Sequence, residues 1–283
     1  MKPAIRVSGL VKRYGSYEAL RGIDFEIGAG EVFGLLGPNG AGKTTTIEIL
    51  EGYRERDAGE VEVLGQDPHR ADRTWHERLG VVLQSSSLYP NLTVRESLRI
   101  FGGYYTSARD PGEVIELVGL TEKADNRVRT LSGGQKRRLD LGLALIGNPE
   151  LVFLDEPTTG FDPGARRAAW ETIRGLRSLG TTILLTTHYL DEAEQLSDRV
   201  AVLREGRIVR EGTPAELTGG NSETEIRYRV NGEVIVETTS EPTRRLHELT
   251  AEALGRGEEL HELEVRRPTL EDVYLELTSE EQP

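Results

Sequence analysis

The sequence predicts an α/β fold, in which buried parallel strands alternate with helices. Runs that are apolar throughout are typical of strands buried on both faces of a parallel sheet. Such runs, each about as long as a strand, occur at residues 32–36, 81–83, 151–154, 183–185 and 200–203. Helical stretches lie between several of them, including residues 165–179. This alternation is typical of an α/β core.

The first part of the chain predicts β-structure ahead of this core. Apolar and charged residues alternate there with a two-residue period, which is the pattern of a half-buried strand. The apolar members are Ile23, Phe25 and Ile27, and a later alternation contains Val61 and Val63. A glycine-rich turn at 28–30 separates the first alternation from the apolar run at 32–36.

A different pattern fills the segment from about residue 85 to residue 148. Helical patches lie at 94–101 and 112–118, and no convincing strand pattern occurs between them. We interpret this segment as a helical insert in the α/β core. Residues 1–217 are therefore expected to form one domain that contains the insert.

The composition changes again after Pro214, where a small α+β domain is predicted for residues 218–283. Strand alternation at 226–230 and 234–236 flanks Asn231-Gly232, a strong hairpin turn. A helix face near 246–254 and a strand near 263–265 follow. A final helix near 270–277 has Thr269 and Asp272 at the spacing of a capping box.

The most specific motif is a glycine-rich loop between the predicted strand at 32–36 and a helix start at 46–50. Glycines let backbone N–H groups turn inward around phosphate oxygens, and a helix start adds free donors and a positive dipole end. A lysine here reaches the β- and γ-phosphates, and the next hydroxyl is a ligand for Mg²⁺. The predicted phosphate-binding residues are Gly37, Pro38, Asn39, Gly40, Ala41, Gly42, Lys43, Thr44 and Thr45.

Two carboxylates follow the apolar run at 151–154. The carboxyl ends of parallel strands form the edge at which α/β folds bind ligands. Asp155 is a candidate Mg²⁺ ligand there, and Glu156 is a candidate to orient and polarise an attacking water. Many strands end in an acidic turn, so this pattern alone is weak evidence for a metal site. It becomes strong evidence when it occurs in the same chain as the phosphate loop.

A second glycine-rich turn, Leu131-Ser132-Gly133-Gly134-Gln135, precedes a helical stretch at 136–146. Small residues at a helix start make an anion site. Serine is also a favoured N-cap residue, so an ordinary cap explains the turn equally well. Two glycine-rich anion sites in one chain would fit two faces of one nucleotide.

The composition excludes several classes of function. The net charge of −13 and the absence of a strong basic cluster predict no nucleic-acid partner. The absence of cysteine excludes disulfides and thiolate catalysis. No stretch approaches the roughly 20 apolar residues that span a bilayer, and the first residues lack the apolar core of a signal peptide. We therefore expect a cytoplasmic protein that needs another chain to cross any membrane.

Together and in this order, the motifs resemble the nucleotide-binding subunit of an ABC transporter over about residues 5–217. Residues 37–45 resemble the Walker A motif, and residues 131–135 are identical to the LSGGQ signature of that family. The other matches are Tyr14 to the adenine-stacking aromatic residue, Gln84 to the Q-loop, Asp155 and Glu156 to Walker B, Asp162 to the D-loop and His188 to the switch histidine.

The resemblance implies an ABC ATPase fold: a P-loop NTPase core with a mixed sheet, an antiparallel β subdomain and a helical insert. It also implies two chains that dimerise head to tail around two Mg²⁺-ATP. The implied catalytic residues are Glu156, His188 and Gln84, and the implied Mg²⁺ residues are Thr44, Gln84 and Asp155. Ser132, Gly133, Gly134 and Gln135 would close on the partner's ATP, and Asp162 would lie at the dimer seam.

Residues 88–96 and 268–278 are similar to the ATPases of ABC-2 type exporters, including the daunorubicin and multidrug-resistance group. This similarity implies a separate membrane permease and a second copy of the chain as partners, at the cytoplasmic face of the cell membrane. Tyr89, Arg95 and Glu96 are candidates for contact with the permease, or belong to a solvated loop. The alternatives are a soluble ABC-type ATPase, an importer subunit and a nucleotide-binding module without turnover.

Overall fold

The computed structural model describes residues 2–82, 88–218, 224–230, 233–266 and 269–279 of the chain. It divides into two compact units, residues 1–211 and residues 212–283. Among the described residues, no helix has both the length and the apolar character that a membrane span requires. The predicted site residue Gln84 and the predicted hairpin turn at 231–232 lie outside the described residues.

The strands share the extended β conformation and fall into three sheets. They are β1 Ile5–Tyr14, β2 Tyr17–Ile27, β3 Val32–Leu36, β4 Ala58–Val63, β5 Leu79–Val82, β6 Leu151–Asp155, β7 Thr182–Thr187, β8 Arg199–Arg204, β9 Arg207–Gly212, β10 Thr224–Val230, β11 Glu233–Thr239 and β12 His261–Arg266.

The helices of the described residues are mostly short, and single 3₁₀ turns accompany them at Pro68–Arg70, Thr121–Lys123 and Val128–Thr130. They are α1 Lys43–Leu50, α2 Arg73–His76, α3 Val94–Gly102, α4 Pro111–Leu117, α5 Gly133–Leu145, α6 Pro163–Ser178, α7 Leu190–Leu196, α8 Pro214–Leu217, α9 Pro242–Arg256 and α10 Leu270–Ser279.

A six-stranded sheet forms the centre of the first unit, in the order β5-β6-β7-β3-β8-β9. Neighbouring strands from β5 to β8 pair in parallel. Every residue of β3, β6 and β7 is buried, because helices and a second sheet cover both faces. The phosphate loop follows β3, the paired carboxylates follow β6 and His188 follows β7, so all three leave the sheet at one edge.

The second sheet of this unit is antiparallel, in the order β2-β1-β4. Its apolar face packs with the core of the parallel sheet in one cluster, which includes Ile5, Phe25, Phe33 and Phe153. The rings of Phe25 and Phe33 stack with centroids 5.6 Å apart. This sheet places Tyr14, at the end of β1, beside the phosphate loop.

Between β5 and β6, the described residues form helices and no named strand. Their apolar faces bury Leu98, Val114 and Leu139 in a second cluster, together with Val152 and Leu154 of β6. Because α5 packs against this side of the sheet, the Ser132 turn at its start is held in a fixed relation to β6.

The second unit contains the antiparallel sheet β11-β10-β12. Leu249 of α9 packs on Ile226 and Tyr228 of β10 in a small cluster of its own. At the start of α10, the Thr269 N–H donates to Asp272 Oδ2 (2.8 Å) and the Asp272 N–H donates to Thr269 Oγ1 (3.4 Å), which confirms the predicted capping box.

The predicted α/β fold class, with its antiparallel sheet, its helical segment and its small α+β part at the end, is confirmed. The apolar run at 32–36 is β3 itself, and the other buried strands differ from the prediction by one or two residues at their ends. The loop helix begins at Lys43 rather than at residue 46, since Lys43 and Thr44 already belong to its first turn.

Candidate active site

The phosphate loop lies between β3 and α1, and its backbone requires glycine at two positions. Gly42 has a φ of 110°, and a Cβ built there would lie 2.7 Å from Leu20 Cδ2 and 2.8 Å from the Ala19 carbonyl oxygen. A Cβ on Gly37 would lie 2.3 Å from the Leu203 carbonyl oxygen. Any side chain at either position would push the loop out of this shape.

Lys43 is the first residue of α1 and is only 6% exposed. Its Nζ donates to the carbonyl oxygens of Gly37 (2.7 Å) and Pro38 (3.2 Å). Burial lowers the pKa of Lys43, while the nearby carboxylates of Glu156 and Asp155 act in the opposite direction. The ammonium is thus held inside the loop, where an anionic ligand is a better partner than two neutral carbonyls.

Asp155 ends β6 and is 8% exposed. Its Oδ1 accepts a hydrogen bond of 2.5 Å from Thr186 Oγ1 on the neighbouring strand β7. Thr186 also binds the next residue, since the Glu156 N–H donates to the Thr186 carbonyl oxygen (3.1 Å) and lies 3.2 Å from its Oγ1. One threonine therefore fixes both acidic residues against the sheet.

Glu156 has a φ of 47°, in the left-handed region that non-glycine residues rarely adopt. Its Oε1 lies 3.2 Å from His188 Nδ1, and its Oε2 accepts a hydrogen bond of 3.2 Å from Thr159 Oγ1. His188 and the candidate base are therefore in contact across the ends of β6 and β7. A backbone of this kind costs of order 1–3 kcal/mol and persists only where its surroundings hold it.

A cavity of about 390 Å³ brings nine of the predicted site residues together. It is lined by Tyr14, Tyr17, Ala19, Asn39, Gly40, Gly42, Lys43, Thr44, Thr45, Asp155 and Glu156. Gly37 and Pro38 do not line the cavity, but their carbonyl oxygens accept hydrogen bonds from Lys43, which does. His188 does not line it either, but its side chain contacts Glu156. A hydroxyl and a carboxylate on one wall, Thr44 and Asp155, are the hard oxygen donors that Mg²⁺ prefers.

A larger cavity of about 460 Å³ lies near the amino ends of β6 and β7. Its wall contains the ion pair between Arg78 and Glu150 and the hydroxyl residue Thr182. It includes none of the predicted site residues, and ligands of parallel α/β sheets bind at the opposite, carboxyl edge. We therefore place the site in the smaller cavity.

Two tyrosines close the outer side of the site. Tyr14 Oη lies 3.4 Å from Thr45 Oγ1, and the Arg54 guanidinium lies 5.2 Å from the centre of the Tyr14 ring. Tyr17 Oη donates to the Gly40 carbonyl oxygen (3.2 Å). Sequence reasoning missed Tyr17, although its position three residues after Tyr14, across a Gly15 turn, was the available signal.

The signature residues lie at the start of α5, where Ser132 and Gly133 are exposed. The Ser132 N–H donates to Gln135 Oε1 (2.9 Å), and the Gln135 N–H donates to Ser132 Oγ (3.3 Å). This capping box shows that Ser132 is an N-cap, which was one of the two interpretations of the sequence. A cap at a helix start leaves the other interpretation, an anion site, open.

Asp162 is the N-cap of α6. Its Oδ1 accepts hydrogen bonds from the N–H groups of Gly164 and Ala165, each 2.9 Å long. The loop before it contains Thr158 and Thr159, and Thr159 binds Glu156. This loop thus ends at a helix cap and makes a direct hydrogen bond to the candidate base.

Glu51 is a further acidic group near the site. It caps the C-terminal end of α1, and its Oε1 is buried without a hydrogen-bond partner among the described residues. Burial raises the pKa of Glu51 to about 8, and the like charges of Asp155 and Glu48 add to the effect. The folded chain therefore binds this proton more tightly than the unfolded chain does.

Glu51→Gln is expected to remove a pH dependence of stability. Because the pKa is raised by folding, the free energy of unfolding falls as the pH rises from the ordinary glutamate range to about 8. Without nucleotide, the variant should melt on the order of 5 °C above the parent at pH 8.5 and level with it at pH 4. Glu55→Gln, at an exposed glutamate, is the control. Parallel melting curves of Glu51→Gln and parent at both pH values would contradict the assignment.

Residues 20–159 match the sequence profile of the ABC transporter family. The Nod factor export ATP-binding protein I of Rhizobium sp. (strain N33) is 42% identical over 99% of this chain and 98% of that protein. The daunorubicin resistance ATP-binding protein DrrA3 of Streptomyces coeruleorubidus is 39% identical over 98% of this chain and 96% of that protein.

Solved structures give the same result for the fold. The ADP conformation of MJ1267, an ATP-binding cassette of an ABC transporter, covers 76% of this chain and 93% of its own, with a TM-score of 0.68 and 26% identity. The structure of an ATP binding subunit of an ABC transporter covers 98% of this chain and 100% of its own, with a TM-score of 0.72 and 25% identity.

Proposed function

The chain belongs to the ABC transporter family of ATP-hydrolysing subunits, and from this premise we propose that it powers export through a separate membrane subunit of the ABC-2 type. The observation that carries this proposal is the extent of the similarity. The Nod factor export and daunorubicin resistance proteins match nearly the whole chain, including residues 212–283, whereas the family profile ends at residue 159. Similarity in the second unit supports a shared task as well as a shared ATPase core.

We propose the following roles for the residues of the cavity. Lys43 and the N–H groups of the loop hold the ATP phosphates, and Tyr14 stacks on the adenine. Thr44 and Asp155 hold Mg²⁺, with Gln84 as a third ligand. When bound, Mg²⁺ neutralises charge on the phosphate oxygens. The donors on the cavity wall fit this ion, which is usually held by one or two carboxylates and by the substrate's phosphates.

Glu156 is proposed to orient and polarise the attacking water, with His188 beside it at the γ-phosphate. The contact of 3.2 Å between their side chains supports a shared role. Glu156 is also held by Thr159, so both oxygens of the carboxylate have a partner. Positioning of the reacting groups, including the attacking water, is a main contribution of the protein to catalysis of phosphoryl transfer.

A head-to-tail dimer is proposed because one glycine-rich turn of the chain lines a cavity and the other is exposed. The phosphate loop lines the chain's own cavity, whereas Ser132 and Gly133 are exposed at the start of α5. Exposed donors at a helix start are suited to a nucleotide held by a second chain. Closure of two chains would exclude water and complete each site.

The proposed contact with the membrane subunit is an aromatic patch formed by Tyr89, Phe101 and Tyr104. Tyr89 is 58% exposed, and its ring lies 6.3 Å from that of Phe101. The side chain of Glu96 instead accepts the Thr93 N–H in the capping box of α3. Of Tyr89 and Glu96, Tyr89 is therefore the better placed for a partner.

A pull-down from detergent-solubilised membranes and from cytosol tests this function. We expect the tagged protein to capture a chain with several spans of roughly 20 apolar residues. Tyr89→Asp should reduce that capture, and Tyr53→Asp, at an exposed tyrosine outside the patch, should not. Capture of soluble proteins or ribosomes alone would favour the alternative of an ABC-type ATPase that is not coupled to transport.

A further inference from the structure

Arg137 of α5 contacts the backbone that carries Glu156. Its Nη2 donates to the carbonyl oxygens of Asp155 (3.0 Å) and Glu156 (3.3 Å), and its Nε donates to that of Pro157 (3.2 Å). These carbonyls follow one another from Asp155, the last residue of β6, into the loop after it. Buried carbonyl oxygens need donors, and one guanidinium supplies them to three consecutive peptide groups.

These hydrogen bonds fall on a strained segment. Glu156 has its φ of 47° between the first and second of the three carbonyls. On its amino side the segment is held by Thr186 of β7, which accepts the Glu156 N–H. On its carboxyl side it is held by Arg137. The candidate base is thus fixed between a strand of the sheet and the helix that begins with the signature turn.

The guanidinium is partly buried in this position. Burial lowers the pKa of Arg137, and the carboxylates of Asp140 and Asp155 act in the opposite direction. Arginine remains charged even so, since its ordinary pKa lies far above neutral pH. A planar fork of donors reaches several acceptors at once, which the single ammonium of lysine does not.

Arg137 is also close to the signature turn along the chain. It lies little more than one helical turn beyond Ser132, the N-cap of α5. A single turn of α-helix is stiff, because its backbone hydrogen bonds close it internally. A displacement of the Ser132 turn is therefore passed to the guanidinium, and from there to the carbonyl of Glu156.

We propose that Arg137 is a positioning residue that couples the two ATP sites of the dimer by tying the orientation of Glu156 to the state of the signature turn. This inference rests on the proposed head-to-tail dimer, in which Ser132 contacts the partner's ATP while Glu156 acts on the chain's own. Binding at one site then sets the base of the other. Turnover should be cooperative in ATP, and Arg137 should be needed for that cooperativity.

The test compares Arg137→Lys with Arg138→Lys in the full-length protein. Arg138 is the next residue of α5, but its Nη1 donates to the carbonyl oxygen of Gly119 (2.8 Å), far along the chain from Glu156. Initial rates over a range of Mg²⁺-ATP concentrations give kcat, KM and the Hill coefficient. Thermal melting shows whether each variant is folded at the assay temperature.

For Arg137→Lys we expect kcat to fall about 10- to 100-fold while KM stays within about threefold, because a misplaced base slows the chemical step and not binding. The Hill coefficient should fall from above 1 to about 1. Arg138→Lys should keep the kcat and Hill coefficient of the parent. If Arg137→Lys does not fold, Arg137→Ala is assayed with added methylguanidinium, which should restore turnover there and have no effect on Arg138→Ala.

Three results would overturn the inference: an unchanged kcat in Arg137→Lys, an equal loss in Arg138→Lys, or a lower kcat with an unchanged Hill coefficient. For the methylguanidinium assay, the absence of rescue would do the same. Failure of the proposed dimer would appear elsewhere, in the parent protein, as turnover per chain that does not rise with protein concentration, and failure of the proposed export function would appear in the pull-down. Failure of the inference is therefore measured on the Arg137 variants, and failure of the proposals on which it rests is measured on the parent protein.

Discussion

Glu156→Gln is expected to bind ATP and form a stable dimer but to turn over about 10²- to 10⁴-fold more slowly than the parent, which is the usual contribution of a general base. Glutamine keeps the size of the side chain and its contacts with His188 and Thr159. It loses the charge that polarises the water. The ATP-bound dimer should accumulate, because ATP hydrolysis, which precedes dissociation of the dimer, is blocked.

Phosphate release measures the rate, and light scattering with and without Mg²⁺-ATP measures the dimer. Glu55→Gln, which changes an exposed glutamate in the same way, should behave as the parent does. Hydrolysis by Glu156→Gln within a factor of about three of the parent rate would remove Glu156 from the role of base.

Lys43→Ala is expected to lose most of its affinity for ATP. The ammonium is already desolvated and directed into the loop by two carbonyls, so binding phosphate costs it little further burial. Loss of a charged donor to two phosphates is worth about 3 kcal/mol, which corresponds to roughly 100-fold in the dissociation constant.

Equilibrium binding of a fluorescent ATP analogue measures this loss, and the melting temperature shows whether ligand binding stabilises each protein. Mg²⁺-ATP at a concentration that saturates the parent should raise the melting temperature of the parent and of Lys123→Ala by more than that of Lys43→Ala. An equal rise in all three proteins would show that Lys43 does not contact the phosphates.

The local motifs of the site could be predicted from the sequence because each is contiguous. The turn, the lysine and the helix start of the phosphate loop all lie within residues 37–45. Glycine is required at Gly37 and Gly42 because a Cβ at either position would clash with neighbouring atoms in the structure. The capping box at Thr269 was predictable for the same reason, since both partners lie within one turn.

The residues that hold the site together were not predictable, because their roles depend on pairing across the chain. Thr186 and Asp155 are partners in the register of β6 and β7, and neither strand shows this register in its sequence. Arg137 is one of two adjacent arginines after the signature, and only the packing of α5 against the sheet separates its role from that of Arg138. Glu51 is one glutamate among many until burial identifies it.

The central claim is that one ATP site is built from two chains, and mixing two inactive variants tests it most directly. Lys43→Ala damages the phosphate loop, and Ser132→Arg damages the signature turn. In a head-to-tail mixed dimer, one site contains both damaged parts and the other contains neither. We therefore predict that each variant alone is inactive and that the mixture recovers hydrolysis. A chain with both substitutions, mixed with Lys43→Ala at the same ratio, contains no intact site in any dimer and is the control. A mixture of the two single variants that stays as inactive as its components would show that the signature does not act across the dimer, and would contradict the account.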